Sequence, residues 1–322
     1  MWRRSVLAAA LLGAALLPSS AMAQPRPLTI AAAGDVHGEG RVARLLAAGG
    51  NPLGAVAPIF TAADVAMVNL ETPVTGGGSP ATKRFVFRAA PSLLTALKAA
   101  GIDVVNLANN HALDQGVPAL LETRDRARAA GLLTVGAGRN AAEAYAPAVI
   151  DTPAGRVAVI GMSRVLPVGW TAKANVPGIA SAYDERAAVA AVRRAAQLAD
   201  NVVVMVHWGA EFARCPDPAQ KRLADAMVAA GADVVAGHHP HVLQAVERQP
   251  GAVVAFSLGN LSWYHSRPPS DTTAILTASL AGGHVVSSDA VPARIDSGGR
   301  PRVLSPAESA GVRSDVLGRG RC

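Results

Sequence analysis

Histidine gives the first sign of chemistry in this sequence, because its 8 histidines gather in a few polar clusters. Asp35 and His37 form one cluster near the start, and His239 and His241 form another within a His-His-Pro-His run much later. The Asp-x-His and His-x-His spacings can each direct two donor atoms toward one small volume. Carboxylate and imidazole donors suit divalent metals such as manganese, iron and zinc. The two clusters therefore predict metal ligands at these four positions.

Three more polar patches follow apolar runs, at Glu71, Asn110 and His207. Glu71 is a candidate bridge, because each oxygen of a carboxylate can bind one cation. Asn110 offers a neutral carbonyl oxygen, and His207 offers another imidazole. Taken alone, Glu71 could be a strand-end cap and His207 a satisfied core residue. Taken together, the patches predict a site for two divalent metal ions, which is typical of a hydrolase.

His111 is a candidate catalytic residue, because a metal-bound Asn110 would leave the next imidazole free to donate a proton. Asp114 follows three residues later and is predicted to share this role. Two functions are open for its carboxylate: it either orients His111 or caps the following helix.

Asn69 and Glu211 lie in the same polar patches, and Asn260 follows the apolar run 253–257; all three are candidate substrate contacts. Arg88 is a candidate clamp for negative charge on a substrate, since a guanidinium binds anionic oxygens in a bidentate way. A surface ion pair is an equally good interpretation of Arg88.

The elements that must position these residues alternate between apolar runs and helical patterns. Runs rich in Val, Ile and Ala predict buried strands, and glycines predict the ends of three helices. This alternation indicates an α/β domain, with the candidate ligands at the carboxyl ends of strands, where binding crevices form. The predicted strands are 28–33, 65–70, 104–108, 156–161, 202–206, 234–236 and 253–257, and the predicted helices are 91–100, 116–130, 184–199 and 218–230.

The rest of the chain is predicted to complete the same single domain. Segment 266–296 contains two apolar runs, 274–280 and 284–292, that predict a closing β-hairpin around a Gly-Gly pair. From 297 to 322, Arg, Ser, Gly and Pro dominate, so a flexible tail is expected. Cys215 and Cys322 could pair in an oxidising compartment or remain free thiols.

Residues 1–23 are typical of a cleavable secretory signal, with two arginines, a short apolar run and an Ala-Met-Ala site ending at Ala23. The run is shorter than the ~20 residues that span a bilayer, so no membrane anchor is expected after cleavage. The mature protein is expected in a periplasm or outside the cell, by general or twin-arginine export. The net charge of +7 comes mostly from arginine, without basic runs interleaved with aromatics, so nucleic-acid binding is not expected.

Taken together and in their order along the chain, the sequence motifs resemble those of the CapA family of capsule or poly-γ-glutamate synthesis proteins. This family is related to calcineurin-like metallophosphatases. The resemblance covers residues 28–265 and implies a four-layer α/β/β/α metallophosphatase sandwich. It depends on the whole set, since no single motif would suffice. The matching stretches are GDVHGEGR (34–41), NLETPV (69–74), FRAAP (87–91), NLANNHALDQG (106–116), VHWGAEF (206–212), GHHPHVLQ (237–244) and FSLGN (256–260).

The resemblance also implies how two ions would share the ligands. Glu71 stands where the wider superfamily usually has Asp, although the CapA family itself has Asn-Leu-Glu here. The implied ligands are Asp35, His37 and His241 for one ion and Asn110, His207 and His239 for the other, with Glu71 as the bridge and His111 as the acid.

The implied reaction is hydrolysis by a hydroxide that bridges the two metals, with His111 protonating the leaving group. The substrate is either a phosphoester or an anionic polymer such as polyglutamate, whose amide bonds would be cleaved. A role in capsule or cell-envelope polymer metabolism follows from the resemblance alone. The main alternative is a non-catalytic factor that binds the polymer or assists capsule assembly and keeps its metal for structure or affinity.

Overall fold

The computed structural model describes residues 2, 26–265, 267–316 and 322, so most of the predicted signal segment 1–23 lies outside the described residues. The strands are β1 Leu28–Val36, β2 Val65–Leu70, β3 Val104–Asn106, β4 Leu133–Val135, β5 Ala137–Gly138, β6 Ala148–Thr152, β7 Gly155–Ser163, β8 Gly178–Ile179, β9 Asn201–His207, β10 Val234–His238, β11 Val246–Gln249, β12 Ala252–Ala255, β13 Asn260–Ser262, β14 Thr272–Ala281, β15 His284–Ile295 and β16 Pro301–Val303. The helices are α1 Gly40–Ala47, α2 Ala57–Thr61, α3 Ser92–Ala99, α4 Gly116–Ala129, α5 Ala141–Ala144, α6 Glu185–Ala196, α7 Pro218–Ala229 and α8 Pro306–Val316.

Two large sheets form the centre of the fold. The first has 8 strands, in the order β16-β15-β14-β1-β2-β3-β4, with β13 also paired to β1. The second has 6 strands, in the order β11-β12-β10-β9-β7-β6. Within them, β1 to β4 are parallel to one another, as are β7, β9, β10 and β12. Their carboxyl ends therefore meet at one edge of each sheet.

The sheets pack face to face through fully buried apolar side chains such as Met67, Val159 and Val203. Helices cover the outer faces: Leu93 of α3 packs on the first sheet, and Leu223 of α7 packs on the second. The predicted α/β/β/α sandwich in one domain is confirmed. Every predicted strand and helix is present, although the strand predicted over 104–108 ends at Asn106, whose side-chain oxygen accepts the N–H of Ala108 at 3.1 Å.

The hairpin predicted around the Gly-Gly pair is formed by β14 and β15, and β14 also pairs with β1. The tail expected to be flexible from residue 297 is instead ordered at 301–316, as β16 and α8. Ser305, directly before α8, makes a reciprocal pair of hydrogen bonds: its backbone N–H donates to the Glu308 side chain at 3.0 Å and its hydroxyl accepts the Glu308 N–H at 3.4 Å. This Ser-x-x-Glu capping box, together with the ion pair between Arg302 and Glu308, explains the difference.

Cys215 and Cys322 form a disulfide, the first of the two alternatives left by the sequence. Among the described residues, no helix is both long enough and apolar enough to cross a bilayer.

Asp233 lies at the start of β10, far from the polar edge, and should make stability depend on pH. Burial raises the pKa of Asp233 to about 6, despite a 2.7 Å hydrogen bond accepted from Val202 N–H. A carboxyl with a raised folded-state pKa stabilises the fold at low pH, and this contribution is lost as pH rises from about 4 through 6. Asp233→Asn, which can keep the hydrogen bond, should raise the free energy of unfolding above pH 6 by up to about 3 kcal/mol.

Urea unfolding at pH 4 and pH 7 measures this effect. Asp64 provides the matched control of opposite sign, because its hydrogen bonds with Arg26 lower its pKa to about 2. Asp64→Asn should therefore destabilise the protein at pH 7. An Asp233→Asn variant that is no more stable at pH 7 than the native chain contradicts the assignment.

Candidate metal centre

The first sheet aligns its polar residues by strand register. Asp35 of β1 pairs with Asn69 of β2, and Asn69 pairs with Asn106 of β3. All three are fully buried at the carboxyl edge. Gly34 permits this close packing, because a Cβ at that position would lie 1.9 Å from the Gly259 carbonyl oxygen. The Gly-Asp sequence is therefore required by packing as well as by the site.

The second sheet contributes histidines from the ends of β9 and β10. His207 is the last residue of β9 and pairs with His238, the last residue of β10. The following loop turns sharply, with φ of 97° at His239 and 56° at His241. Backbone conformations of this kind are strained in residues other than glycine and cluster at functional sites. Both histidines thus have a strained backbone at the point where the loop brings them toward the first sheet.

The buried side chains converge in two groups that could each hold a metal ion. One group contains Asp35, Glu71 and His241, the other Glu71, His207 and His239, and within each group the donor atoms lie within 4.8 Å of one another. Glu71 belongs to both groups. Its Oε1 lies 3.5 Å from His207 Nε2 and 3.9 Å from His241 Nε2. This is the arrangement expected of a carboxylate that bridges two cations.

The two acids have pKa values shifted in opposite directions. Both oxygens of Glu71 are buried without a hydrogen-bond partner among the described residues. Burial, followed by the neighbouring carboxylate of Asp35, raises the pKa of Glu71 well above its usual value. Burial also opposes ionisation of Asp35, but hydrogen bonding and the nearby histidines lower its pKa overall. A divalent ion would compensate both charges, so the donor set fits metal binding.

Burial favours the neutral, metal-binding form of His207 and His239. Burial lowers the pKa of His207 well below its usual value, and the neighbouring histidines add to the effect. Burial likewise lowers the pKa of His239 to about 3. Neutral imidazole is the ligating form, so no proton has to leave these rings before an ion binds.

Asn110 and His37, the other two predicted ligands, lie close to these groups. The side-chain oxygen of Asn110 is 2.8 Å from His207 Nε2, so both atoms face the same volume. His37 is outside both groups: its Nδ1 accepts the Glu39 N–H at 3.2 Å, while its buried Nε2 has no partner among the described residues. The other ligands implied by the sequence are thus brought together, and His37 lies near them, since the charge of His241 contributes to its lowered pKa.

Asn69 and Asn260, predicted as substrate contacts, lie behind the ligands instead. Both are fully buried. Asn69 donates to Asp35 at 2.8 Å and lies 3.3 Å from His207 Nδ1, while the Asn260 side-chain oxygen is 2.9 Å from His241 Nδ1. Buried partners of this kind orient metal ligands, so we reassign both asparagines to that role.

The other two predicted substrate contacts, Arg88 and Glu211, are exposed. The backbone N–H of Arg88 donates to Glu39 at 2.8 Å, which places this residue beside the loop that carries His37. The charge of Glu211 contributes to the raised pKa of Glu71, which places it near the ligands. Their positions are compatible with substrate contact.

His111 and Asp114 form a buried pair at the edge of the centre. Nδ1 of His111 lies 2.7 Å from Asp114 Oδ2, and the same oxygen accepts the Phe87 N–H at 2.7 Å. Helix α4 begins at Gly116, with Gln115 rather than Asp114 at its N-cap. Asp114 therefore orients His111, and the alternative of helix capping is not observed. With Nδ1 engaged, Nε2 is the ring nitrogen left for proton transfer.

Sequence reasoning missed the contribution of Lys83, whose ammonium group lies 2.5 Å from Asp114 Oδ1. It also missed the aromatic side chains around the centre. The His37 ring contacts Phe87, Trp263 and Tyr264, with ring centroids 4.0, 5.0 and 4.8 Å away. Only 4% of the chain is aromatic, so the proximity of such residues to metal-site motifs was a usable signal.

A known protein family matches most of this chain. Residues 29–263 match the family model described as bacterial capsule synthesis protein PGA_cap. The PGA biosynthesis protein CapA of Bacillus subtilis is 38% identical over 208 residues, covering 64% of this chain and 54% of that protein. The capsule biosynthesis protein CapA of Bacillus anthracis is 32% identical over 258 residues, covering 78% of this chain and 62% of that protein. This chain thus spans less than two thirds of either relative.

Solved structures support the fold. A phosphatase from Mycoplasma pneumoniae superposes with a TM-score of 0.53 at 12% identity, covering 84% of this chain and 94% of that one. A hypothetical protein from Thermus thermophilus gives a TM-score of 0.53 at 18% identity, covering 82% and 98%. At these identities the likeness concerns the fold alone.

Proposed function

Because this chain belongs to the bacterial capsule synthesis protein family PGA_cap, we propose that it is a metal-dependent hydrolase of capsule or cell-envelope polymer metabolism. The observation that carries the proposal is the pair of buried ligand groups that share Glu71. A binding surface alone has no need of a buried His111–Asp114 pair beside these groups. Manganese, iron and zinc all suit the donor set.

The chain's own residues define the mechanism. Asp35, Glu71 and His241 would hold one divalent ion, and Glu71, His207 and His239 the other, with Asn110 beside His207. Bound there, the ions would supply a water of lowered pKa and stabilise negative charge at the attacked centre. His111 would donate a proton from Nε2 to the leaving group while Nδ1 stays hydrogen bonded to Asp114.

Two substrate classes fit this chemistry. A phosphoester matches the fold type, and the exposed Arg88 would bind its anionic oxygens. An amide of a polyglutamate chain matches the names of the Bacillus relatives, and its tetrahedral intermediate would be stabilised by the same charges. We propose export through the segment 1–23 as well; mass spectrometry of the protein from the culture medium or periplasm should show a mature N-terminus after Ala23.

The test is hydrolysis of bis-p-nitrophenyl phosphate and of poly-γ-glutamate by protein loaded with Mn²⁺. The native chain should cleave at least one of them, and Asp35→Asn should lose that activity because it removes a ligand charge. Asp151→Asn, at an exposed site on β6, is the matched control and should behave like the native chain. A metal-loaded native protein that cleaves neither would favour the non-catalytic polymer-binding alternative.

A further inference from the structure

Lys83 links parts of the site that are distant in sequence. It lies on the long loop between β2 and α3, yet its Nζ reaches polar atoms of residues that follow β3. Nζ is 2.5 Å from Asp114 Oδ1, 2.6 Å from the Asn110 carbonyl oxygen and 3.1 Å from His111 Nδ1. The Trp170 ring, 5.2 Å away, packs against the ammonium group from another loop.

These contacts fix the carboxylate of Asp114 through both of its oxygens. Oδ1 pairs with Lys83, while Oδ2 faces His111 and accepts the Phe87 N–H. Asp114 is fully buried, and Lys83 is the lysine that pairs with it there. Because His111 Nδ1–H donates to Oδ2, the orientation of the imidazole depends on where Lys83 holds the carboxylate.

The same ammonium group holds the backbone of Asn110. The Asn110 carbonyl oxygen accepts from Nζ, while its side-chain oxygen lies 2.8 Å from His207 Nε2. A shift of this peptide would move both the amide beside His207 and the neighbouring His111. The Lys83 ammonium group therefore contacts both the candidate metal ligand Asn110 and the His111–Asp114 pair that is proposed to donate the proton.

We propose that Lys83 is a positioning residue, which holds the proton donor His111 and the metal-facing amide of Asn110 in a fixed relation to each other. The proposal rests on the proposed function: its catalytic half needs the hydrolase activity, and its other half needs only the proposed metal centre. In the reaction the proton moves from His111 Nε2 to the leaving oxygen, and Lys83 neither gains nor loses one. Lys83 acts through its neighbours and need not touch the substrate.

The test compares Lys83→Met with Lys98→Met, both loaded with Mn²⁺. Lys98 pairs with Asp103 at 3.2 Å on the surface and provides a matched lysine away from the site. The first measurement is Mn²⁺ affinity, which needs no turnover. Lys83→Met should weaken it about 10-fold, as is typical when a partner behind a metal ligand is lost. Lys98→Met should bind like the native chain.

The second measurement compares bis-p-nitrophenyl phosphate with diphenyl phosphate, whose phenolate is the poorer leaving group. A misplaced acid should slow diphenyl phosphate hydrolysis about 10- to 100-fold more than hydrolysis of the nitrophenyl ester. A role in stability alone would slow both esters equally. Lys83→Gln keeps a hydrogen-bond donor without the charge and replaces Lys83→Met if that variant does not fold.

Native Mn²⁺ affinity in folded Lys83→Met or Lys83→Gln overturns the proposal for Asn110, and equal slowing of both esters overturns it for His111. If the native chain hydrolyses neither ester nor any other substrate, the proposed function fails. The Mn²⁺ comparison then still decides whether Lys83 positions the metal-facing amide.

Discussion

Replacement of Glu71 by Gln should abolish metal-dependent hydrolysis, with a loss on the order of 10³-fold or more. Glu71 belongs to both ligand groups, so its replacement removes a negative charge from two ions at once. Metal content by elemental analysis and turnover on the same sample measure the effect. Glu247→Gln, at an exposed position of β11, is the matched control and should retain both properties.

The same variant should be more stable than the native chain when neither contains metal. Burial and the charge of Asp35 raise the pKa of Glu71, so the metal-free fold is stabilised while Glu71 is protonated. That stabilisation is lost as pH rises from the ordinary pKa toward the raised one. Metal-free Glu71→Gln should therefore unfold at a higher temperature than the metal-free native chain at pH 8. A variant that is less stable without metal, or that still binds two ions, contradicts the bridging role.

Replacement of His111 by Asn should lower turnover about 10²- to 10⁴-fold while leaving metal content unchanged. The imidazole faces Asp114 and belongs to neither ligand group, so its loss removes the acid without removing a ligand. The deficit should be greatest for substrates with poor leaving groups, because these need protonation most.

Steady-state rates with diphenyl phosphate and bis-p-nitrophenyl phosphate, together with metal analysis, check this result. His284→Asn, at an exposed position of β15, is the control for loss of a histidine. If His111→Asn loses an ion, His111 is a ligand. If it hydrolyses both esters at the native rate, another group is the acid.

Much of the site could be predicted from sequence because its residues follow strands in short motifs. Parallel strands bring their carboxyl ends to one edge, so Asp35, Glu71 and His207 converge once the sheets form. Glu71 directly follows β2, and the sequence predicts it as a candidate bridge because each oxygen of a carboxylate can bind one cation. Its place in both ligand groups depends on the pairing of the two sheets, which local sequence does not give.

Other features of the site depend on contacts between segments that are distant in sequence, which local sequence patterns do not predict. Lys83 meets Asp114 only because the loop after β2 folds back over the residues after β3. Asn260 lies behind His241 because β13 adds to β1, a pairing between distant segments. The order of the tail, by contrast, had a local signal in Ser305 and Glu308, which overall composition obscured.

The most direct test of the account is a crystal structure of the Mn²⁺-loaded protein with anomalous data collected at the manganese edge. The account predicts two peaks ~3.5–4 Å apart on either side of the Glu71 carboxylate. One ion should contact Asp35 and His241, and the other His207 and His239. A single peak, or two peaks that do not share Glu71, would contradict a binuclear centre.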